Sequence, residues 1–420
     1  AAAAPHTRIG TKAKGGAALR LDQLSAQGRW HDGQLTIAHL QLNALQAQLQ
    51  GQDLHITTAA PALQGRLQAR LPGTTAQFDG QIAPHSGKGR LALDLQDAQR
   101  TQRWLQALPG MAQAAAGWAL DGQASLNADW QGGWQSLQHQ LQAAGLLPGD
   151  APKPAQGGFA LQASLSAPRL QITPPGQDGA APQVLTLERA SARLSGTLAE
   201  ARLEWDGLLR HPQGQARLQL RAEAGHRGAG PWQAQIQALD LQASATGQPG
   251  PWTLYLAQPL SIQLRQAPQL TLQATAGQAQ LSGPAPGKVT LRWQPLQYTQ
   301  DAQGVAQLHS QGELIGLPLA WAQAWKLEGQ DALTRLGLGG DLVLNGRWDI
   351  DAGEHLRASA VIERASGDLS ILTGEADAPT IMHSSGQGKA GALPAVAAST
   401  PAGLKQAELR LSAEGDALRT

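Results

Sequence analysis

Cysteine is absent from this chain of 420 residues, which excludes disulfide bonds, thiolate zinc sites and thiol catalysis. Net charge is nearly absent too, because 32 basic and 31 acidic residues leave a formal charge of +1. Nucleic-acid binding needs a concentrated basic field, so we expect no nucleic-acid partner. No stretch approaches the ~18 uninterrupted apolar residues of a membrane span. We therefore expect any membrane anchor to lie outside this chain.

Motifs for catalysis or metal binding are also missing from the sequence. The 11 histidines are scattered, and His31 and His211 are interpreted as turn residues. No nucleophile elbow, phosphate-binding loop or dinucleotide fingerprint occurs. Carboxylates such as Asp94 and Glu223 fall at polar strand positions, which is typical of a solvated face. The sequence therefore predicts no enzyme activity, no metal site and no cofactor.

Aromatic residues other than tryptophan are scarce: the chain has 12 Trp but only 2 Tyr and 2 Phe. Several tryptophans fall at the ends of predicted strands: Trp130, Trp205, Trp232, Trp252, Trp293 and Trp348. Two interpretations stay open at this point. The indole rings either pack against strand edges or mark the rim of an apolar groove.

What the chain does contain is a strict alternation of polar and apolar residues in short runs separated by Gly and Pro. Leu218 and Leu220 would lie about 200° apart on a helix, so no single helical face could bury both. On a strand they share one face, with polar neighbours on the other. Because the alternation recurs between residues 35 and 411, it predicts an all-β fold. About 30 strands spaced about 4.8 Å apart favour an elongated, solenoid-like sheet.

Two segments interrupt the alternation in the same way. Apolar residues at helical spacing in 97–116 and 316–326 each precede the pattern G-x-x-x-L-N-x-x-W, at 122–130 and 340–348. We interpret the pair as an internal repeat with two short helical insertions. The predicted division is a β-groove segment at 1–99, a helical insertion at 100–117, a β-groove segment at 118–315, a second insertion at 316–336, a β-groove segment at 337–373, a flexible loop at 374–403 and a continuing strand at 404–420.

These repeated units, together with R-A-S-G-D-L-S at 364–370 and G-L-K-Q-A-E-L-R-L at 403–411, resemble the TamB family, the inner-membrane component of the translocation and assembly module. The resemblance implies a β-taco, which is an elongated U-shaped sheet with an apolar groove. It also implies the periplasmic body of an inner-membrane-anchored protein. The implied partners are phospholipids and an outer-membrane barrel, TamA-like, reached through parts outside this chain.

The hypothesis that follows is a non-enzymatic conduit that shields acyl chains between the inner and outer membranes and supports outer-membrane biogenesis. The predicted groove lining is Leu91, Leu93, Leu218, Leu220, Ile236, Leu254, Leu256, Leu270, Leu272, Leu342 and Leu344. Two alternatives stay open. One is a chaperone-like scaffold for outer-membrane β-barrel assembly, and the other is a closed structural or adhesive β-solenoid. The scarcity of Val and Ile counts against the closed solenoid.

Overall fold

A computed structural model describes residues 21–58, 60–108, 111, 117–143, 158–175, 183–227, 230–266, 269–301, 303–324, 326–327, 330–353, 355–373 and 398–416. These residues form mostly antiparallel β-sheet, which confirms the predicted all-β class. The chain divides into two compact units, the first ending at Pro212 and the second beginning at Gln213.

The first unit contains ten strands, and each one pairs antiparallel with the strand next to it in sequence. They are β1 (Leu21–His31), β2 (Gln34–Ala44), β3 (Ala47–Thr57), β4 (Ala62–Leu71), β5 (Thr74–Ile82), β6 (Gly87–Leu95), β7 (Ala119–Gln131), β8 (Ala160–Thr173), β9 (Leu185–Thr197) and β10 (Glu200–His211). Turn chemistry fixes the hairpins. Asp32 and Gly33 both have positive φ, as a two-residue type I′ turn requires.

The second unit contains twelve strands in its main sheet. They are β11 (Gly214–His226), β12 (Trp232–Ala245), β13 (Trp252–Leu256), β14 (Leu260–Arg265), β15 (Leu270–Ala274), β16 (Gly277–Ser282), β17 (Lys288–Trp293), β18 (Leu296–Gln300), β19 (Ala306–Pro318), β23 (Val343–Ala352), β24 (His355–Ser366) and β27 (Glu408–Asp416). The smaller strands are β20 (Lys326–Leu327) and β21 (Gln330–Asp331), which form a hairpin, and β22 (Leu338–Gly340), β25 (Leu369–Thr373) and β26 (Ala398–Pro401), which form a three-stranded sheet.

At three neighbouring strand positions of this second sheet, two short half-strands take the place of one long strand. The long strand β12 pairs with both β13 and β14. Next, β13 pairs with β16 while β14 pairs with β15, and then β16 pairs with β17 while β15 pairs with β18. The long strand β19 closes the series by pairing with both β17 and β18. Each of these three strand positions therefore consists of two half-strands that meet at a break.

Strands of the first unit are bent instead by bulges. Register shifts occur at Gln27/Gly28, between Gln52 and His55, between Gln123 and Ser125, and between Asp206 and Leu208. A bulge inserts an extra residue and bends its strand. In β8 to β10 the position is occupied by small residues: Ala167 and Ala190 are register partners with 2% exposure each, and Gly207 lies within van der Waals reach of Ala190.

The helices are α1 (Ala98–Gln106), α2 (Trp134–Ala143), α3 (Ala332–Arg335) and a 3-10 helix (Leu319–Ala324). The structure therefore describes three α-helices, not two helical insertions. The segment predicted as an amphipathic helix at 316–326 contains the 3-10 helix, which buries Trp321 and Ala324 three residues apart, the repeat of a 3-10 turn. Helix α2 was not predicted, although Trp134, Leu137 and Leu141 have helical spacing.

Several predicted segments lie partly outside the described residues. Residues 1–20 of the 1–99 segment do so, as do residues 109–110 and 112–116 of the first insertion. Within the 374–403 loop, residues 374–397 lie outside, and β26 follows them. None of the described helices is long and apolar enough to span a membrane.

The two copies of the internal repeat differ in structure, because 122–130 lies within β7 whereas 340–348 begins in β22 and ends in β23. Gly122 and Gly340, which begin the two copies, have φ of +108° and +115°. The tryptophans that end the copies each lie over a glycine of the neighbouring strand, Trp130 over Gly89 and Trp348 over Gly312. Trp293 covers Gly277 in the same way. Each indole N–H donates a hydrogen bond beyond that glycine, at 3.1–3.2 Å. The acceptor is Gln81 O for Trp130, Thr275 O for Trp293 and Ser310 Oγ for Trp348. These three tryptophans therefore pack on the sheet.

Candidate functional site

One face of the first unit is apolar across all ten strands. Register partners in an antiparallel sheet point to the same side, so a chain of partners defines a row. The first apolar row is Leu24, Leu42, Leu49, Ala69, Ala76, Leu93, Leu126, Leu165, Ala192 and Trp205. The second is Ala26, Leu40, Gly51, Leu67, Phe78, Leu91, Ala128, Ala163, Leu194 and Leu203. The predicted Leu91 and Leu93 therefore lie in adjacent rows of one continuous apolar face.

The opposite face of the same unit is polar in every strand. One polar row is Gln27, His39, Gln52, Arg66, Asp79, Arg90, Asp129, Gln162, Ser195 and Arg202. Opposite charges on neighbouring strands pair within it, Arg66 with Asp79 at 3.4 Å and Arg90 with Asp129 at 2.9 Å. The hydrogen bond from the Arg90 guanidinium to Asp129 raises the pKa of Arg90 above its ordinary value. The charged side chains of this face pair with one another while exposed to solvent, so each ion pair contributes little to the stability of the fold.

The second unit also has apolar rows, and four of its nine predicted lining residues, Leu218, Leu254, Leu256 and Leu272, lie in them. One row is Leu218, Leu241, Leu254, Leu281 and Val289. A neighbouring row is Leu256, Ala279, Leu291, Leu314, Gly346, Ile362 and Leu409. A third, across the half-strands, is Trp232, Leu264, Leu272, Tyr298, Leu308, Ala352 and Leu356.

The remaining predicted residues are placed less uniformly. Leu220 pairs with Leu239, and Ile236 with Ala222 and Leu260. Leu270 pairs with the polar Gln300. Leu344 lies beside a bulge, with Leu317 and Arg364 as partners. Leu342 precedes β23, and its backbone oxygen accepts a hydrogen bond from Leu319 N at 2.8 Å, so the structure places it beside the 3-10 helix and outside the rows.

The apolar rows remain partly open to solvent. Of the eleven predicted residues, Leu256 and Leu342 are buried and the other nine are half-buried. Leu24 is 58% exposed and Leu194 38%. Among the described residues, the only large side chains with under 2% exposure are Leu54 and Val289. Most leucines of the rows therefore keep part of their surface open to solvent, with Leu256 as a buried exception.

Part of the second unit is covered by its own chain. Trp321 of the 3-10 helix is 3% exposed and packs edge-on against Trp252, with ring centroids 5.3 Å apart. Its indole N–H donates to Ala285 O at 3.0 Å. Val289 and Ala279, in the rows nearby, are also buried. The open apolar surface of the second unit is therefore interrupted where this segment lies.

The two α-helices of the first unit lie at opposite ends of its strands. Helix α1 follows the end of β6: Thr101 Oγ1 contacts Thr74 Oγ1 at 2.7 Å, and Trp104 Nε1 donates to Leu45 O at 2.7 Å. Helix α2 follows the end of β7, where Trp134 Nε1 donates to Pro61 O at 3.2 Å. Sequence analysis placed no functional residue on either helix.

A surface pocket of about 400 Å³ lies beside α1. Its wall is formed by Leu45, Gln46, Pro72, Arg100, Arg103, Trp104, Ala107 and Leu108. The sequence analysis did not single out Arg100 and Arg103, which lie at i and i+3 on this helix, because their surroundings depend on where the helix packs.

The R-A-S-G-D-L-S stretch forms a clamp between strands. The Asp368 carboxylate accepts hydrogen bonds from the backbone N–H groups of Leu369, Leu404 and Gly403, at 2.8, 2.9 and 2.9 Å. Arg364 donates to Gly367 O at 2.8 Å and to Lys405 O at 3.3 Å. The hydrogen bond from Leu404 N, followed by those from Gly403 and Leu369 and the charge of Arg364, lowers the pKa of Asp368 from its usual value. The clamp fixes the chain that leads into β27.

Within the described part of the chain, no group of three or more His, Cys, Asp or Glu residues could hold a metal ion. Comparison of the sequence and the structure with protein-family models, curated proteins and solved structures finds no match. The arrangement of the site must therefore be interpreted from its own geometry.

Proposed function

We propose that this chain is a non-enzymatic conduit segment that holds the acyl chains of phospholipids on its apolar face. The observation that supports the proposal is the pair of apolar rows, which cross ten consecutive strands, remain half-open to solvent and have a polar row on the reverse side. A soluble protein rarely leaves such a continuous apolar surface without something to cover it. An acyl chain covers it without specific polar contacts.

The energetics suit movement as well as binding. Each CH₂ group that leaves water contributes about 0.8 kcal/mol, so a whole acyl tail is held firmly. Neighbouring positions along a row offer nearly the same Leu and Ala side chains. A tail can therefore shift from one strand to the next without a large change in free energy. No reacting residue is needed for this role.

We also propose the finer architecture that the family resemblance implies, a U-shaped β-taco in each unit. The bulges of the first unit and the aligned breaks of the second unit support this proposal, because both devices bend a sheet. The small residues Ala167, Ala190 and Gly207 at the first-unit bulge allow close approach at a corner. A bend there would turn the apolar face inward and form a groove.

The resemblance to the TamB family belongs to the same proposal, and with it a periplasmic location, an inner-membrane anchor outside this chain and a role in outer-membrane biogenesis. Contact with a TamA-like barrel would involve parts outside this chain. The half-open rows favour the conduit over a closed solenoid, whose interior would bury its leucines. A chaperone-like scaffold would use strand edges instead of the apolar face.

The test compares two double variants of strand β11. Leu218→Asp with Leu220→Asp places two charges on the apolar face, whereas Gln215→Asp with Gln219→Asp places two charges on the polar face. Both are incubated with a photoactivatable phospholipid, and circular dichroism checks that each retains its β-structure. We expect labelling of the peptides that contain β11 and β12, measured by mass spectrometry, to fall at least about tenfold for the leucine variant only, because burying an unpaired charge costs several kcal/mol. Equal labelling of both variants and the unaltered chain would contradict the proposal.

A further inference from the structure

The pocket beside α1 combines features that the proposed acyl-chain site lacks. Its wall is apolar at Leu45, Pro72, Trp104 and Leu108, and it carries two positive charges, Arg100 and Arg103. No acidic side chain is part of the wall. Among the described residues, neither guanidinium forms an ion pair, and the Arg103 guanidinium makes only long contacts of 3.5 Å with Gln99. Two guanidinium groups with unused donors beside an apolar wall suit an amphiphilic anion.

The pocket lies on the side of the sheet that carries the apolar rows. Thr74 is two residues before Ala76 in β5, and so it points to the same face as the first apolar row. Its hydroxyl contacts that of Thr101, which fixes α1 on this face at the strand ends. Gln102 strengthens the attachment, since its side chain accepts from Leu120 N at 2.7 Å and donates to Trp118 O. The arginines therefore lie at the strand ends, beside the first apolar row.

Two consecutive non-glycine residues with positive φ lie at the same place. The turn between β2 and β3 consists of Leu45 and Gln46, with φ of +51° and +65°. Such values favour Gly, Asn or Asp, as at the Asp32–Gly33 turn. The hydrogen bond from Trp104 to Leu45 O holds the strained turn, and both turn residues line the pocket. Strained residues of this kind cluster at binding sites, where surrounding contacts maintain them.

We infer that this pocket binds the phosphate of a phospholipid headgroup while the acyl chains lie on the adjacent apolar rows. The inference rests on the proposed conduit function and assigns it a polar recognition site. Arg100 and Arg103 lie at i and i+3, so they are neighbours on one face of α1 and can both reach one phosphate. Trp104 and Leu108 cover the apolar part of the glycerol backbone. The site selects for an anionic headgroup over a neutral one.

The test uses the full chain and three probes: dioctanoyl phosphatidylglycerol, dioctanoylglycerol and inorganic phosphate. The pocket variant is Arg100→Gln with Arg103→Gln. Its control is Arg29→Gln with Arg70→Gln, which removes the same charge from exposed arginines on the polar face of β1 and β4. Binding is measured by titration calorimetry and native mass spectrometry.

We expect the pocket variant to bind phosphatidylglycerol about tenfold to a hundredfold more weakly than the unaltered chain, because it lacks two charge-assisted contacts. The control variant should bind it like the unaltered chain, and all three proteins should bind dioctanoylglycerol equally. Unchanged phosphatidylglycerol binding in the pocket variant would overturn the headgroup site and leave the conduit standing. If the unaltered chain binds neither lipid, the conduit itself fails. If inorganic phosphate binds as tightly as phosphatidylglycerol, the pocket is a free-phosphate site and the lipid assignment is overturned.

Discussion

Trp348 and Gly312 form the clearest example of how single residues determine this sheet. They are register partners on β23 and β19, and a Cβ atom added at Gly312 would lie 2.2 Å from Trp348 Cζ2. The glycine is therefore required by the indole ring that lies over it. Gly346, two register levels away on the same face of β23, has only Leu314 Cβ nearby, at 3.8 Å. Two glycines of neighbouring strands are thus under different constraints.

Replacing Gly312 with Ala should lower the free energy of unfolding by about 1–3 kcal/mol, because the added methyl displaces the indole ring or the sheet. Replacing Gly346 with Ala should change it by less than about 1 kcal/mol, because the methyl enters open space. Urea denaturation followed by tryptophan fluorescence measures both variants. Equal destabilisation by the two substitutions would show that the ring does not impose the glycine.

At the scale of elements, the alternation predicts strands well because burial of one face decides their periodicity. It does not reveal how short strands pair. The sequence pattern separates the runs 252–256 and 260–264, which form β13 and β14, but it does not show that both pair with the one long strand β12. Helix α2 was missed because its Trp134, Leu137 and Leu141 lie among glutamines that look like the polar positions of a strand. The 3-10 helix differs from the predicted helix because Pro318, still in β19, leaves only six residues for the turn.

The Asp368 clamp joins elements that are distant in sequence, and its strength should depend on pH. The folded state lowers the pKa of Asp368 below its usual value of 3.8, so the clamp stabilises the fold above that pH. The contribution is lost as the pH falls through the lower, folded-state pKa. We therefore expect the backbone amides of Gly403 and Leu404 to exchange faster in Asp368→Asn than in the unaltered chain at neutral pH.

That difference should shrink as the pH falls through the lowered, folded-state pKa of Asp368, because both proteins then carry a neutral side chain at position 368. Hydrogen exchange of the two proteins at matched pH removes the intrinsic pH dependence of the exchange reaction. Asp349→Asn is a suitable control, because Asp349 lies on β23 away from the clamp. A pH-independent ratio between Asp368→Asn and the unaltered chain would contradict the assigned ionic role.

For the whole molecule, the sequence predicts which residues share a face but not what covers that face. Leu91 and Leu93 lie in adjacent rows of the apolar face, since their strand is regular. Leu342 does not, because a tertiary contact with the 3-10 helix removes it from the sheet. The pocket arginines could not be predicted, since their role depends on where α1 packs. Strand register, β-bulges and helix packing determine where these residues lie, and only the coordinates show them.

If the apolar face carries lipid, crosslinking should alternate along each strand, because successive residues point to opposite faces of the sheet. A photoreactive amino acid at Leu93 or Leu126 should crosslink phospholipid, whereas the same residue at Asp94 or Ser125 should not. Each pair is one register level, and the two levels point to opposite faces. Mass spectrometry of the crosslinked chain measures the result. Comparable crosslinking at all four positions would mean that lipid contact is non-specific.

The nearest-neighbour pairing of β1 to β10 also has a consequence for how the chain acquires its structure. Every strand of the first unit finds its partner in the strand just made, so no pairing waits for a distant stretch of polypeptide. Low sequence separation between partners favours rapid folding. This unit can therefore assemble hairpin by hairpin while the polypeptide is still being synthesised, with each new strand templated by the edge already in place.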